Sequence, residues 1–264
     1  MSAWPCAGGI VLRLEGVSKH FGGLPALQDV SFGVPAGRLT ALIGPNGAGK
    51  STLINCITGV LPPTSGSILF QGEEIAGLPA HTITRRGIHR TFQNLRLFPR
   101  LSVLDNVLTG LTCEGGTSMF MAMLRLPALR HRERALRLRA LEAMDRFGLT
   151  DKTAWPAGVL AYGDKKRVEL ARAIVGRPAL LLLDEPVAGL NAVETAAVGE
   201  QLKTLRRAGH TILLVEHDMD LVMDIADQVV VLDSGRCIAT GTADEIRRNP
   251  LVLEAYLGRM EATA

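Results

Sequence analysis

The sequence has few cysteines, and none of them lies close to another. The four in 264 residues are Cys6, Cys56, Cys113 and Cys237. Disulfide frameworks and zinc sites use cysteines at short, regular spacings, often with histidine nearby, and no such pattern occurs here. We therefore expect the reduced thiols of a cytosolic protein.

A long apolar run is also absent. No window of the sequence approaches the ~20 apolar residues that a membrane-spanning helix needs. Residues 1–9 lack the charged start and the apolar stretch of a signal peptide, and we interpret them as a short leader. The sequence predicts a soluble chain, although an apolar fraction of 47% leaves room for a large docking surface.

Neither sign of charge is in strong excess. The formal net charge is +3 and both signs are scattered along the chain, so no overall field favours nucleic acid or an anionic membrane. One stretch, residues 125–139, is an exception because arginines are concentrated in it. They are Arg125, Arg130, Arg132, Arg134, Arg137 and Arg139. Apolar residues recur at helical spacing through residues 136–147, which favours a solvated helix face over an apolar stripe.

A glycine-rich segment fits the phosphate-binding pattern G-x-x-x-x-G-K-[ST] at every fixed position. Its residues are Gly44, Pro45, Asn46, Gly47, Ala48, Gly49, Lys50, Ser51 and Thr52. Glycines allow successive backbone N–H groups to point inward at phosphate oxygens. Lys50 would reach the β- and γ-phosphates, and the Ser51 hydroxyl would face Mg²⁺ at the start of a helix.

The surroundings of this segment decide between a phosphate site and a glycine-rich turn that matches by chance. Residues 39–43 are apolar except for Thr40, which is typical of a buried strand, and residues 53–57 place apolar side chains on one side of a helix. Strand, loop and helix form the setting that a P-loop requires. The sequence therefore predicts nucleotide binding.

The pattern of apolar residues predicts an α/β fold with a P-loop NTPase core. Residues 10–17 and 30–34 alternate as in the strands of a small antiparallel β subdomain, which residues 67–70 would complete. Continuous apolar runs at residues 179–183, 211–215 and 229–232 are typical of buried parallel strands. Ser102 and Asp105 begin a mostly helical region, which we interpret as an inserted α-helical subdomain.

Two acidic residues follow a run of four leucines. Asp184 and Glu185 would lie at the carboxyl end of a buried strand, where α/β folds bind ligands. Asp184 would hold Mg²⁺, and Glu185 would orient and activate the attacking water. The alternative is a strand that ends in an acidic turn, but a P-loop in the same chain favours the functional interpretation.

A third motif points to a particular family. Residues 160–164, here called the signature segment, read Leu-Ala-Tyr-Gly-Asp and precede an amphipathic helix. They are similar to the LSGGQ signature, and the chain resembles the ATP-binding subunits of ABC transporters. The resemblance implies a second anion site, aimed at the γ-phosphate of ATP on another subunit. Its residues would be Ala161, Tyr162, Gly163 and Asp164; without the resemblance they would be a glycine turn that opens a helix.

The resemblance assigns roles to three isolated residues. Gln93 would contact Mg²⁺ or the water and report the nucleotide state to a membrane partner, and His217 would contact the γ-phosphate. Phe21 lies where the family has an aromatic side chain that stacks on adenine. Taken alone, these would be a surface glutamine, a packing histidine and a core phenylalanine.

Two positions depart from the wider family pattern. Ala161 replaces the serine of the signature, which removes a hydroxyl donor to the opposite γ-phosphate, and Asn191 stands where the wider family has Asp. Both departures occur in the branched-chain amino-acid importers. Similarity to their ATP-binding subunits extends over residues 21–24, 90–98, 160–164, 188–191, 249–251 and 255–258.

The resemblance implies one ABC ATPase domain over residues 10–258. Residues 10–95 and 161–258 would form the nucleotide-binding core with its β subdomain, residues 96–160 the helical subdomain, and residues 259–264 a tail. The domain would hydrolyse ATP, with ATP and Mg²⁺ as cofactors, to drive a membrane importer of branched-chain amino acids. An importer of urea or another polar solute, an envelope lipid exporter, and a soluble ABC-type ATPase of DNA repair or translation remain alternatives.

The chain has one P-loop and one signature segment, and this count determines the partners that the resemblance implies. A second ATP-binding subunit completes the clamp around each ATP, with a heterodimer favoured over a homodimer. Two transmembrane permease subunits and, indirectly, a substrate-binding protein complete the importer, on the cytoplasmic face of the plasma membrane; nucleic acid is not expected. Leu95, Leu97 and Phe98 would contact the membrane partner, and Met119 to Met123 would either do so or form a satellite core.

Overall fold

The computed structural model describes residues 9–91, 97–114 and 127–257. These residues group into two compact units. The core unit comprises the described parts of Met1–Ile88, Ala179–Glu185 and Leu202–Ala264, and the helical unit comprises those of His89–Pro178 and Pro186–Gln201. The helical unit includes residues 161–178 and 186–201, so it is larger than the helical subdomain expected from the family; the family-based division stays a prediction.

An antiparallel sheet forms one layer of the core unit. Its order is β2-β1-β4-β5, with strands β1 (Ile10–Phe21), β2 (Leu24–Pro35), β4 (Ser65–Phe70) and β5 (Glu73–Glu74). The sequence predicts β1 and β2 in the right places but too short. Phe21 pairs with Leu24 across Gly22 and Gly23, and both glycines have positive φ, so a tight hairpin lets the strands run to the turn.

A second sheet carries the buried strands of the core. Its order is β10-β9-β3-β8-β7-β6, with β3 (Leu39–Ile43), β6 (Ile88–Arg90), β7 (Leu180–Asp184), β8 (Ile212–Val215), β9 (Gln228–Asp233) and β10 (Arg236–Gly241). β3 runs parallel to both β8 and β9, and β7 runs parallel to β8. Every residue of β3, β7 and β8 is buried, which confirms the prediction from their continuous apolar runs.

Short helices complete the core unit. They are α1 (Lys50–Ile57), α2 (Ala80–Arg85), α7 (Met219–Ile225), α8 (Ala243–Arg247) and α9 (Pro250–Leu257). Thr242 and Glu245 exchange hydrogen bonds at the start of α8 and so form a capping box. Cys56 and Cys237 are free thiols of this unit, and burial raises the pKa of each.

The helical unit contains α3 (Val103–Leu108), α4 (Pro127–Asp145), α5 (Tyr162–Ile174) and the first part of α6 (Ala192–Arg207). The residues of α6 from Leu202 onward belong to the core unit. Ser102 accepts a hydrogen bond from the Asp105 N–H, which confirms the predicted start of α3. Buried Asn106 holds the chain before α3, since its side chain accepts from the Phe98 N–H and donates to the Phe98 carbonyl, at 2.8 and 3.0 Å.

The described part of the arginine-rich stretch, from Arg130 to Arg139, lies on α4 and has the predicted solvated face. Arg132, Arg134 and Arg137 are exposed, while Ala140 and Ala143 of the same helix are buried. The guanidinium of Arg139 folds back to donate to the Val175 carbonyl oxygen at 2.9 Å. Within the parts of the chain that the structure describes, no helix is both long and apolar enough to cross a membrane.

Candidate functional site

The glycine-rich loop connects the buried strand β3 to helix α1. Gly44 has φ of 150°, and a β-carbon there would lie 2.0 Å from the Leu232 carbonyl oxygen. Gly49 has φ of 101°, and a β-carbon there would lie 2.7 Å from the Ala26 carbonyl oxygen. Both positions therefore require glycine for conformation and for space.

The rest of the loop opens to solvent in the manner of an anion site. Asn46 and Gly47 are exposed, and no atom lies within 4 Å of a β-carbon built on Gly47. Ala48 is buried; its N–H donates to the Pro45 carbonyl oxygen at 3.1 Å, and its own carbonyl accepts from Gly235 at 3.0 Å. The loop is thus held against the rest of the core unit through Ala48, and its solvent-facing side at Asn46 and Gly47 stays accessible.

Lys50 places a buried ammonium inside the loop. Its Nζ donates to the carbonyl oxygens of Gly44 and Pro45 at 2.6 and 3.1 Å. Burial lowers the pKa of Lys50, while the negative charges of Glu185 and Asp184 partly oppose that shift. The first residue of α1 is therefore in the electrostatic field of both acids that follow β7.

The two acids lie where β7 and β8 end side by side. Asp184 pairs with Val215 across the parallel strands and is 6% exposed. The next N–H, that of Glu185, donates to the Val215 carbonyl oxygen at 2.9 Å, and Glu185 has φ of 49°. Positive φ in a residue other than glycine is uncommon and is found disproportionately at functional sites. Because β3, β8 and β7 run parallel, both acids lie at the carboxyl ends of the strands, where the glycine-rich loop also begins.

His217 meets the second acid from the end of β8. Its Nδ1 lies 4.0 Å from Oε1 of Glu185, and the imidazole side chain is 62% exposed. Glu216, for which no role is predicted from the sequence, is fully buried beside it. Its Oε2 accepts from the His217 N–H at 3.1 Å and lies 3.7 Å from Nδ1. The sequence signal that could have identified Glu216 is a charged residue directly after an apolar strand.

Oxygen donors suited to Mg²⁺ occur in this unit. Ser51 is exposed at the start of α1, and the carboxylate of Asp184 lies in the field of Lys50. Hydroxyl and carboxylate oxygens beside bound phosphates are the ligands that Mg²⁺ prefers. Gln93 lies outside the described residues. Among the residues that are described, no group of three acidic, cysteine or histidine side chains forms a metal cluster of its own.

Phe21 lies at the tip of the β1–β2 hairpin in the core unit. Its ring is 46% exposed, so it is not a core residue. The ammonium of Lys19 is 5.3 Å from the ring centroid and donates to the Pro62 carbonyl oxygen at 2.7 Å. The ring has an accessible face, as a base-stacking side chain needs.

The signature segment begins α5 in the helical unit. Ala161 is the N-cap residue and makes no side-chain hydrogen bond to the helix, and Tyr162 is half-exposed. Asp164 is nearly buried, and its carboxylate contacts Lys152 at 2.6 Å and Arg167 at 3.4 Å. These two cations offset a negative charge that would otherwise face an anion at the start of α5.

Comparison with known proteins identifies matching families. Residues 27–188 match the ABC transporter family, and residues 236–262 match the branched-chain amino acid ATP-binding cassette transporter family. The second match covers β10, α8 and α9, which contain none of the motifs described above. The family assignment therefore draws on two separate parts of the chain.

Relatives match over nearly the whole chain. The high-affinity branched-chain amino acid transport ATP-binding protein BraF of Pseudomonas aeruginosa is 43% identical, over 94% of this chain and 98% of BraF. The corresponding protein LivG of Escherichia coli K12 has the same identity and coverage. The crystal structure of MJ1267, an ATP-binding cassette of an ABC transporter, in its ADP conformation has a TM-score of 0.83, with 32% identity over 95% of this chain and 99% of that one. With this loop geometry and these matches, the chain belongs to the nucleotide-binding ATPases of ABC transporters.

Proposed function

We propose that this chain is the ATP-hydrolysing subunit of a membrane importer for branched-chain amino acids. The observation that carries the activity is the buried Lys50 ammonium inside the phosphate loop, in the field of Asp184 and Glu185. The observation that supports the substrate class is the 43% identity to BraF and LivG along nearly the whole chain.

The proposed site residues of the core unit have separate roles in ATP binding and hydrolysis. Backbone N–H groups of the loop and Lys50 bind the phosphates, and Phe21 stacks on adenine. Glu185 orients the attacking water and accepts its proton, and His217, at 4.0 Å from Glu185, contacts the γ-phosphate. Ser51 and Asp184, with Gln93, would hold Mg²⁺, which offsets phosphate charge when bound.

The residues of the helical unit act on a second nucleotide. The N–H groups at the start of α5, from Ala161 to Asp164, face the γ-phosphate of ATP bound to a partner subunit. One P-loop and one signature per chain make a dimer of ATP-binding subunits the working form, and we favour a heterodimer. We also retain residues 10–95 and 161–258 as the core of this domain and residues 96–160 as its helical subdomain.

The partners are membrane permease subunits, which an ATP-binding subunit of an importer drives. We place the chain peripherally on the cytoplasmic face of the plasma membrane, beneath two permease subunits that receive substrate from a binding protein. Phe98 is 54% exposed, and buried Asn106 fixes its backbone, so it offers an apolar contact to a permease. Leu95 and residues 119–123 lie outside the described residues.

Capture of the assembly tests this function. Tagged protein carrying Glu185→Gln is incubated with ATP and detergent-solubilised membranes, and the proteins that co-purify are identified. Recovery of a second ATP-binding subunit with two multi-span membrane proteins supports the proposal. Uptake of leucine, rather than urea, by the same assembly reconstituted with wild-type Glu185 supports the substrate. Recovery of ribosomes or nucleic acid without membrane protein contradicts it.

Phe98→Asp is expected to uncouple transport from hydrolysis. A carboxylate in place of an exposed ring opposes burial against a permease but leaves the nucleotide residues in place. We expect substrate uptake to fall at least ~10-fold, while basal ATP hydrolysis stays within twofold. Leu138→Asp, at an exposed position of α4, is the control and should preserve uptake. Normal uptake by Phe98→Asp would remove Phe98 from the permease contact.

Ala161→Ser is expected to stabilise the helical unit. A serine hydroxyl at the N-cap accepts a hydrogen bond from an N–H in the first turn, which adds about 1 kcal/mol to the free energy of unfolding. The same hydroxyl can also donate to the opposite γ-phosphate, so ATP hydrolysis should rise or stay equal. Thermal denaturation and steady-state hydrolysis measure the two effects. A large fall in hydrolysis would mean that residue 161 does not occupy the signature serine position.

A further inference from the structure

The side chain of Tyr162 joins two segments of the helical unit. Its hydroxyl donates a hydrogen bond to the Ala188 carbonyl oxygen at 3.2 Å. Its ring lies against Gly189, where a β-carbon would be 3.3 Å from Cε1 of the ring. Gly189 has φ of 79°, so glycine provides both the turn and the close approach. Tyr162 thus contacts residues 187–191, here called the 187–191 loop, through ring and hydroxyl.

A second contact links the same two segments. A β-carbon on Gly163 would lie 2.6 Å from Oε1 of Glu194, so the carboxylate rests against the signature segment. Oε2 of Glu194 accepts from the Asn191 N–H at 3.1 Å, and Oδ1 of Asn191 accepts from the Glu194 N–H at 3.0 Å. Asn caps helices about as well as Asp, so Asn191 preserves this start of α6. The signature segment therefore contacts the loop and the residue that caps the next helix.

A buried ammonium lies beside the tyrosine ring. Lys166 is 2% exposed, and its Nζ has no hydrogen-bond partner within the part of the chain that the structure describes. This Nζ is 5.9 Å from the centroid of the Tyr162 ring, within the range of a cation–π interaction. Because a buried charge needs stabilisation, the contact favours the ring orientation in which Tyr162 reaches the 187–191 loop.

We propose that Tyr162 is a positioning residue that fastens the signature segment to the 187–191 loop, so that the two segments present one surface to the partner subunit. The functional part of this inference rests on the proposed function, in which the signature segment acts on the partner's ATP. Ala161 has no hydroxyl to offer that phosphate. Hydrolysis therefore depends on how well the backbone N–H groups at the start of α5 are placed, and Tyr162 sets that placement.

Hydrogen exchange in the isolated chain tests the fastening itself. Tyr162→Phe removes the hydroxyl and keeps the ring, and we expect the amides of residues 187–191 to exchange about 3- to 10-fold faster. Tyr256→Phe makes the same chemical change in α9 and should leave these amides unaffected. Lys166→Met, which keeps most of the stem and removes the charge, should also accelerate their exchange, and it keeps the test decisive if Tyr162→Phe does not fold. Unchanged exchange in the folded variants overturns the proposal.

Hydrolysis by the captured assembly tests the functional consequence. With wild-type Glu185 restored, Tyr162→Phe should lower kcat about 3- to 10-fold and leave the KM for ATP within twofold, because the loop that binds ATP in the same chain is intact. Normal kcat, or a raised KM with normal kcat, contradicts the positioning role. If no assembly is recovered, the proposed transport function fails, whereas the exchange measurement still decides whether Tyr162 fastens the two segments.

Discussion

Glu185→Gln is expected to reduce ATP hydrolysis by at least ~100-fold while ATP remains bound. Glutamine keeps the size of the side chain and its place at the end of β7, but its amide cannot accept a proton from water. The backbone should be unaffected, since the Glu185 N–H donates to Val215 in either case. Phosphate release in single-turnover conditions, together with equilibrium binding of ATP, separates the two effects.

A matched variant guards against a general effect of losing one carboxylate. Glu73→Gln alters an exposed glutamate that pairs with Arg86 at 3.3 Å, in the antiparallel sheet, and should hydrolyse ATP at the normal rate. Hydrolysis within threefold of normal in Glu185→Gln would exclude Glu185 as the base. Asp184 and His217 would then have to be tested in the same way.

Lys50→Met is expected to weaken ATP binding about 100-fold. Methionine fills a similar space but provides no charge to the phosphates, and a charge-assisted hydrogen bond contributes ~1.5–3 kcal/mol. Without nucleotide, the ammonium already satisfies the carbonyl oxygens of Gly44 and Pro45, so the variant also leaves these two groups without their donor. Titration with a fluorescent ATP analogue measures the dissociation constant.

A lysine of the same unit serves as the control for Lys50→Met. Lys203 forms an ion pair with Asp224 at 2.7 Å, and Lys203→Met should bind ATP normally. A thermal denaturation curve for Lys50→Met distinguishes weak binding from unfolding. ATP affinity within threefold of normal in folded Lys50→Met would contradict the phosphate-binding role.

Local patterns were enough to predict the buried strands and several helix starts. Runs of apolar residues identified β3, β7 and β8, because burial on both faces leaves few polar positions, here Thr40 and Asp184. Ser102 and Thr242 were recognisable as caps because their partners lie three residues away in the sequence. Features whose physical cause lies within a few neighbouring residues can therefore be predicted from the sequence.

Features that depend on distant contacts were missed. β10 (Arg236–Gly241) is only half-buried and pairs along one edge of the sheet, so it has no apolar run to mark it. The burial of Glu216 and Lys166 depends on packing between segments that are far apart in the chain. The roles of Gln93 and the signature residues came from family resemblance, and they remain predictions.

The tight packing behind the phosphate loop affects how sequence variation at this loop should be interpreted. Gly44 and Gly49 lie too close to the carbonyl oxygens of Leu232 and Ala26 to accept a methyl group. A mutational survey would therefore find both positions intolerant even under selection for folding alone, so their intolerance says nothing about catalysis. Gly47 has open space around it and restricts substitution only through its φ of 82°. Variants at Gly47 therefore distinguish effects on nucleotide binding from effects on folding.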